Sequence, residues 1–68
     1  MAGIYKKVEI VGTSETSLTE AVKNAVEEAG KSIRHMAWFE VVEQRGRIQE
    51  GKVAEFQVTI SIGFKLER

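Results

Sequence analysis

Apolar and polar residues alternate along the last third of the chain. One side of this segment carries the large apolar residues Phe56, Val58, Ile60, Ile62, Phe64 and Leu66. The other side carries Glu55, Gln57, Thr59, Ser61, Gly63 and Lys65. Because successive side chains of a strand point to opposite faces, the pattern predicts a strand from Lys52 to Arg68 with one buried face and one solvated face.

Two shorter segments also have the composition of strands. Tyr5–Val11 is rich in β-branched residues, and we expect its Val8 and Ile10 to face inward. A further strand is predicted over Trp38–Gly46. The segment Arg47–Gly51 then forms the turn into the last strand, and its final glycine can adopt a positive φ.

The middle of the chain has the periodicity of an amphipathic helix. Apolar residues recur there at steps of three and four: Leu18, Ala21, Val22, Ala25, Val26, Ala29 and Ile33. Ser17 followed by Glu20 has the spacing of a capping box, which marks a helix start. Since Ile33 keeps the apolar phase beyond Gly30, we expect the helix to continue to about Arg34. The many alanines on its apolar stripe predict a close approach to the sheet.

The predicted order of elements is β-α-β-β within one domain of residues 1–68. If the long third strand lies between the other two, the sheet is antiparallel throughout, with strand order 1-3-2, and it wraps around the single helix. This is an α+β fold. A chain of 68 residues buries only about 60% of its unfolded surface, so a lone subunit is marginally stable and we expect self-association to support it.

Composition and charge exclude several classes of protein. The chain has no cysteine and a single histidine, His35, which argues against disulfides, metal sites and a cysteine nucleophile. Ten basic and ten acidic side chains leave no basic excess for binding nucleic acid. No apolar run approaches the ~18 residues of a membrane span, and the N-terminus lacks the apolar core of a signal peptide. We therefore expect a cytoplasmic protein without nucleic-acid or membrane partners.

The single tryptophan is the main candidate for a binding residue. Trp38 and Phe39 are adjacent in a predicted strand, so only one of them can face the core. We expect Phe39 and Val41 to join the core. The opposite face would then carry Trp38, Glu40, Val42 and Gln44 of this strand and Gln57, Thr59 and Ser61 of the last strand. The exposed Trp38 either packs in a subunit interface or forms a stacking platform for a planar ligand, which an amide such as Gln57 would orient.

Three segments extend from Tyr5 to Glu67: YKKVEIVGTSETSLTEAV, WFEVVEQRGRI and EFQVTISIGFKLE. In order and spacing they closely resemble the dodecins, a family of small flavin-binding proteins. The resemblance implies a hollow, roughly spherical homododecamer that binds flavins in pairs near two-fold axes, between tryptophans of neighbouring subunits. It also implies that the protein stores and sequesters flavin and is not an enzyme.

The resemblance further implies roles for particular side chains. Trp38 corresponds to the stacking tryptophan, and Gln57 to the glutamine that hydrogen-bonds the polar edge of the flavin ring. Arg45 corresponds to an arginine of bacterial dodecins that is placed to meet a flavin phosphate, a contact that suits the two-point fork of guanidinium. Bacterial dodecins favour FMN, so FMN is the expected ligand, with riboflavin or FAD as alternatives. Arg47 supports the bacterial type, because archaeal relatives tend to be acidic there.

Other functions remain open at this point. The chain could be a homo-oligomeric assembly protein in which Trp38 only packs an interface, or a coenzyme A-binding member of the same family, for which the sequence shows no motif. A flavoenzyme is disfavoured, because rings covered on both sides leave little room for a substrate. His35 has no cysteine partner, and we expect it at the C-terminus of the helix, where its cationic form is favourable.

Overall fold

The computed structural model describes residues 3–66, which form four elements: β1 Tyr5–Ser14, α1 Leu18–Ala29, β2 Met36–Gln49 and β3 Lys52–Lys65. The β3 strand lies between β1 and β2 and is antiparallel to both. The predicted α+β fold, with element order β-α-β-β and strand order 1-3-2, is confirmed. Residues 1, 2, 67 and 68, which end the predicted domain and the predicted last strand, lie outside the described residues.

The hairpin between β2 and β3 turns over only two residues. Gln49 pairs with Lys52, and between them Glu50 and Gly51 have φ angles of 54° and 77°. Two consecutive positive φ angles characterise a type I′ turn, whose twist matches that of the flanking strands. The positive φ predicted for Gly51 is confirmed, but the predicted turn over Arg47–Gly51 was too long, because β2 pairs with β3 right up to the turn.

The helix begins where the sequence predicted. Ser17 is an extended N-cap residue whose side chain accepts a hydrogen bond from the backbone N–H of Glu20 over 3.0 Å. The N–H of Ser17 itself donates to Oγ of Ser14 over 3.4 Å, and the same oxygen accepts from the N–H of Thr16. Short side-chain-to-backbone bonds of this kind satisfy the backbone where β1 turns into α1.

The helix ends earlier than predicted. Gly30 is its C-cap residue, so α1 stops at Ala29 and does not continue to Arg34. Beyond the cap, the N–H groups of the next two residues donate to carbonyl oxygens three positions back, which tightens the chain into a turn. Glycine is a weak helix former, and this favours the stop. Ile33 still packs against the core, which explains why the apolar phase persists past the helix end.

The core lies between α1 and one face of the sheet. Its buried residues are Ala21, Ala25 and Ala29 of α1 and Val58, Ile60 and Ile62 of β3. Val8 and Ile10 pack against these residues, which confirms their predicted inward orientation. The helix is closest to the sheet at Gly12, where an added Cβ would overlap the carbonyl oxygen of Ala21 and lie 2.7 Å from Cβ of Ala25. The close approach predicted from the alanines is therefore confirmed.

The helix covers β1 and β3 but leaves most of β2 uncovered. Phe39 and Val41 lie on the helix side of the sheet, since they pair with two core residues of β3, yet they are 49% and 44% exposed. The prediction that both join the core is wrong for a single subunit, because α1 packs mainly over β1 and β3, while Met36 at the start of β2 packs against the core. Together with Val22 and Val26 of α1, they line an open groove of about 780 Å³.

The subunit is long and flat, with extents of 53 × 20 × 13 Å. Its radius of gyration is 14.1 Å, against about 11 Å for a compact domain of this length. Large exposed apolar residues follow both edges and the hairpin: Val11, Trp38, Phe39, Val41, Val42, Ile48 and Val53. Apolar surface of this extent is typical of subunits that associate. Within residues 3–66, no helix is long and apolar enough to cross a membrane.

Candidate ligand-binding face

The face of the sheet opposite α1 is called here the outer face. Its residues form rows across β1, β3 and β2: Lys7–Gly63–Trp38, Glu9–Ser61–Glu40, Val11–Thr59–Glu43 and Thr13–Gln57–Arg45. The three residues singled out from the sequence, Trp38, Gln57 and Arg45, all lie on this face. Trp38 belongs to the first of these rows, and the other two share the last.

A β-bulge brings Arg45 onto the outer face. Val42 is an extra residue in β2, located between two residues that pair with consecutive residues of β3. The extra residue inverts the alternation of β2 from that point on. Gln44, which we predicted on the same face as Trp38, instead pairs with Val58 of the core. That prediction is wrong, and Arg45 takes the outer position that Gln44 would have had.

The indole of Trp38 lies against the backbone of β3 at Gly63. A Cβ added to Gly63 would lie 2.6 Å from Cη2 of the indole and would overlap two further ring carbons. The ring of Tyr5 flanks the indole, with centroids 5.2 Å apart and planes tilted by 54°. Trp38 is nevertheless 41% exposed. The predicted outward orientation of Trp38 is confirmed, and its ring is supported by the sheet while remaining accessible to a ligand.

An ion pair crosses β3 next to the indole. Nζ of Lys7 on β1 lies 2.8 Å from Oε1 of Glu40 on β2. Beneath this bridge Ser61 is only 4% exposed. The hydrogen bond and the positive charge of Lys7 hold the pKa of Glu40 below its usual value, and a hydrogen bond with the Trp38 side chain contributes least. Glu40 is therefore an ionised carboxylate close to the N–H of the indole, which is the only donor of that side chain.

Hydrogen bonds link the polar residues at the other end of the outer face. Nε of Arg45 donates to Oε1 of Gln57 over 2.8 Å, and Nε2 of Gln57 donates to Oε1 of Glu55 over 2.9 Å. The same Glu55 oxygen lies 3.7 Å from Nε of Arg47. The bond between Arg45 and Gln57 uses only the N–H at Nε, so the four terminal N–H groups of the guanidinium are not engaged in it. The amide of Gln57 likewise retains a second lone pair and a second N–H.

The aromatic end and the polar end of the outer face are far apart within one subunit. Gly63, which supports Trp38, and Gln57 are six residues apart in β3, a separation of about 20 Å at ~3.4 Å per residue. A planar ligand of three fused rings is shorter than this and cannot touch both Trp38 and Gln57 of one chain. The structure therefore brings Arg45 and Gln57 together but not Trp38. The expectation that Trp38 lies beside Gln57 is wrong for a single subunit, and a site that uses both needs two copies.

His35 lies away from these contacts, in the connection between α1 and β2. Its φ is 64°, and its carbonyl oxygen accepts a hydrogen bond from the backbone N–H of Lys65 over 3.1 Å. We expected His35 at the helix C-terminus, which is wrong because α1 ends at Ala29.

Sequence reasoning also missed the residues that surround the indole. Alternation placed Glu40 and Gly63 on the correct face, but it did not indicate that either contacts Trp38. No role was predicted for Lys7, because the adjacent lysines Lys6 and Lys7 obscure the alternation of apolar and polar residues in β1. The strand register identifies all three: Lys7 and Trp38 pair with Gly63 from opposite sides, and Glu40 pairs with Ser61 in the next row.

Comparison with known proteins gives consistent matches over nearly the whole chain. The family model described as Dodecin matches residues 4–67. The chain is 52% identical over 67 residues to the Dodecin of Thermus thermophilus, covering 98% of this chain and 97% of that protein. It is 29% identical over 63 residues to a protein of Mycobacterium tuberculosis named Calcium dodecin, covering 93% and 89%. The solved structure of dodecin from Streptomyces coelicolor matches with a TM-score of 0.94 and 44% identity, covering 97% of this chain and 94% of that one.

Proposed function

The chain belongs to the dodecin family, and we propose that it binds and sequesters flavin, with FMN as the preferred ligand, between the subunits of a hollow homododecamer. The accessible indole of Trp38, supported by β3, is the observation that carries this proposal. Each outer face offers an aromatic platform at one end and an amide with a guanidinium at the other. The role is one of binding and storage, without a chemical step.

The indole is suited to stacking because its position is restricted before any ligand arrives. It rests on Gly63 and is flanked by Tyr5. A ring held in this way loses little conformational freedom on binding, so more of the stacking free energy appears as affinity. An indole in contact with a flavin quenches the excited flavin by electron transfer. Stacking on Trp38 would therefore make bound flavin non-fluorescent and limit its photochemistry.

Gln57 complements the polar edge of a flavin ring. That edge presents carbonyl oxygens and an N–H, and an amide offers a donor and an acceptor together. Because the strand positions of Trp38 and Gln57 in one subunit are about 20 Å apart along β3, we infer that a second copy supplies the other half of each site. Two outer faces related by a two-fold axis would place Gln57 of one copy near Trp38 of the other. Such an arrangement makes two equal sites and accounts for a pair of flavins.

Arg45 gives the site a preference for a phosphorylated flavin. Its Nε is engaged by Gln57, which orients the guanidinium and leaves its terminal N–H groups for an anion. Guanidinium binds phosphate oxygens by two parallel hydrogen bonds, which are stronger than bonds between neutral groups. Riboflavin has no phosphate, so it would bind through the stacking and amide contacts alone.

Self-association is supported by the apolar surface that one subunit leaves uncovered. Phe39 and Val41 are about half exposed on the helix side of β2, in a groove shared with α1. The outer face of β2 also carries the accessible Trp38. Burial of surface on both sides of one strand requires more than one neighbour, as in a closed shell. The number of twelve subunits rests on the family.

A fluorescence titration tests the proposed function. Apoprotein is added to FMN and, separately, to riboflavin while the flavin emission is followed. We expect strong quenching that saturates at one flavin per subunit, with tighter binding of FMN. Free tryptophan at the same concentration is the control for collisional quenching. The absence of quenching with both flavins would overturn the proposal.

An assembly protein whose tryptophan only packs an interface is the alternative from another class. It predicts a colourless purified protein and an oligomer that dissociates when Trp38 is replaced by alanine. Binding of coenzyme A stays a prediction of the family resemblance, as no contact among residues 3–66 points specifically to that ligand.

A further inference from the structure

Gly63 occupies a position that does not require glycine for its backbone conformation. It lies in the interior of β3, paired on both sides with neighbouring strands. Among the glycines of residues 3–66, the one with a positive φ is Gly51. Glycine in a strand interior weakens the strand, since it has more freedom to lose on folding and no side chain to pack. The reason for glycine at this position must therefore be a neighbouring group.

That neighbouring group is the indole of Trp38. An added Cβ at Gly63 would overlap Cζ2 and Cε2 of the ring and lie 2.6 Å from Cη2, whereas ordinary contact begins at 3.4 Å. These atoms belong to a rigid bicyclic ring, so the ring can relieve the overlap only by moving as a whole. A side chain at this position would lift the indole away from β3.

The indole is also restricted at its edges. Tyr5 flanks it with a centroid distance of 5.2 Å, and the bridge between Lys7 and Glu40 crosses β3 beside it. With neighbours on two edges, a ring that is displaced from Gly63 moves outward, toward the ligand side, more readily than sideways. The contact with Gly63 thus sets the height of the indole above the sheet.

We propose that Gly63 is a positioning residue of the flavin site, an inference that rests on the proposed function. By holding the indole against β3, Gly63 sets the height of the platform and so the width of the space between two facing platforms. The two-fold relation doubles any displacement, because both platforms move toward the ligands at once. A single methyl group at this position narrows the space for stacked rings from both sides.

The first test is the Gly63→Ala variant of the full chain. Trp38 is the single tryptophan, so the emission and the near-ultraviolet circular dichroism of the apoprotein report the indole directly. We expect a red-shifted emission, a weaker aromatic dichroism and roughly tenfold weaker binding of both FMN and riboflavin. Ser32→Ala is the control, since Ser32 is exposed in the turn that follows α1 and does not lie on the outer face. It should leave the emission, the dichroism and the flavin affinity unchanged.

A second variant separates the indole contact from a general effect on folding. In the Trp38→Ala background the ring is absent, and alanine is a better strand residue than glycine. Gly63→Ala should therefore leave stability unchanged or raise it in that background, while it lowers stability in the native background. An equal loss of stability in both backgrounds would overturn the inference.

The outcomes also distinguish this inference from the proposed function. If the native protein does not quench flavin, the flavin proposal fails, whereas the emission spectra and the paired stabilities still test the contact with Gly63. If the native protein binds flavin and Gly63→Ala keeps both the native emission and the native affinity, the role of Gly63 is refuted.

Discussion

Arg45 donates a hydrogen bond from Nε to Oε1 of Gln57 over 2.8 Å, across the pair of strands β2 and β3. The contact exists because Val42 is an extra residue in β2. With regular alternation, Gln44 would stand in that place and the guanidinium would point to the helix side. The bulge therefore places a permanent positive charge beside the amide.

The first prediction concerns the ligand preference that Arg45 provides. Arg45→Met should weaken FMN binding by roughly tenfold, because a charge-assisted phosphate contact is lost, and should affect riboflavin much less. Parallel fluorescence titrations of both flavins measure the difference. Arg47→Met is the matched control, as Arg47 is ion-paired with Glu55. Equal losses for the two flavins would mean that Arg45 acts by orienting Gln57 and not by binding phosphate.

The second prediction separates ligand stacking from interface packing at Trp38. Trp38→Ala should weaken flavin binding by roughly 10- to 100-fold, the range expected for the loss of an aromatic stacking contact. Size-exclusion chromatography with light scattering should still show the native oligomer. Trp38→Phe retains a smaller ring and should give an intermediate affinity. Dissociation of the Trp38→Ala oligomer would favour the assembly interpretation.

The third prediction tests the apolar surface of β2 that faces the same side as α1 and is left largely uncovered by it. Val41→Glu places a charge in a surface that should be covered by another copy, and burial of an unpaired charge strongly opposes association. We expect light scattering to show a much smaller species than the native assembly. Lys31→Glu changes a charge in the exposed turn just beyond α1 and serves as the control. A native-sized Val41→Glu oligomer would show that this surface faces solvent in the assembly.

The fourth prediction follows from the lowered pKa of Glu40. A carboxylate whose pKa is lower in the folded state stabilises the fold above its ordinary pKa of 4.5, and this contribution is lost as the pH falls through the lower folded value. The difference in unfolding free energy between the native chain and Glu40→Gln should thus be constant from about pH 6 down to the ordinary pKa and shrink below it. Chemical denaturation at a series of pH values measures it. In the Lys7→Met background, this pH dependence should become much smaller, because Lys7 supplies the two largest causes of the lowered pKa.

Alternation and helical periodicity predicted most of the fold, because each depends on which residues face one core. Val58, Ile60 and Ile62 were assigned correctly on that basis, and so was the N-cap Ser17. The helix end was misjudged, since Ile33 packs against the core from a turn and thereby imitates one more helical step. A pattern of burial alone does not distinguish a further helical residue from a buried residue in the turn that follows the helix.

The candidate site was less predictable, because it depends on register and on other copies. Trp38 and Gln57 were placed on the correct face, yet their separation along the strands does not follow from alternation. No glycine or other breaker marks the bulge at Val42, and so no sequence signal indicates that Gln44 and Arg45 exchange faces. The contact between Gly63 and Trp38 likewise arises only when β2 and β3 are aligned.

The limited coverage by α1 has a consequence for how the native state is measured. Because the helix side of β2 is bare in one subunit, part of the hydrophobic stabilisation becomes available only when copies meet. Folding is then linked to association by mass action, and the midpoint of thermal unfolding should rise with protein concentration. A melting temperature of this protein therefore has meaning only together with the concentration at which it was recorded.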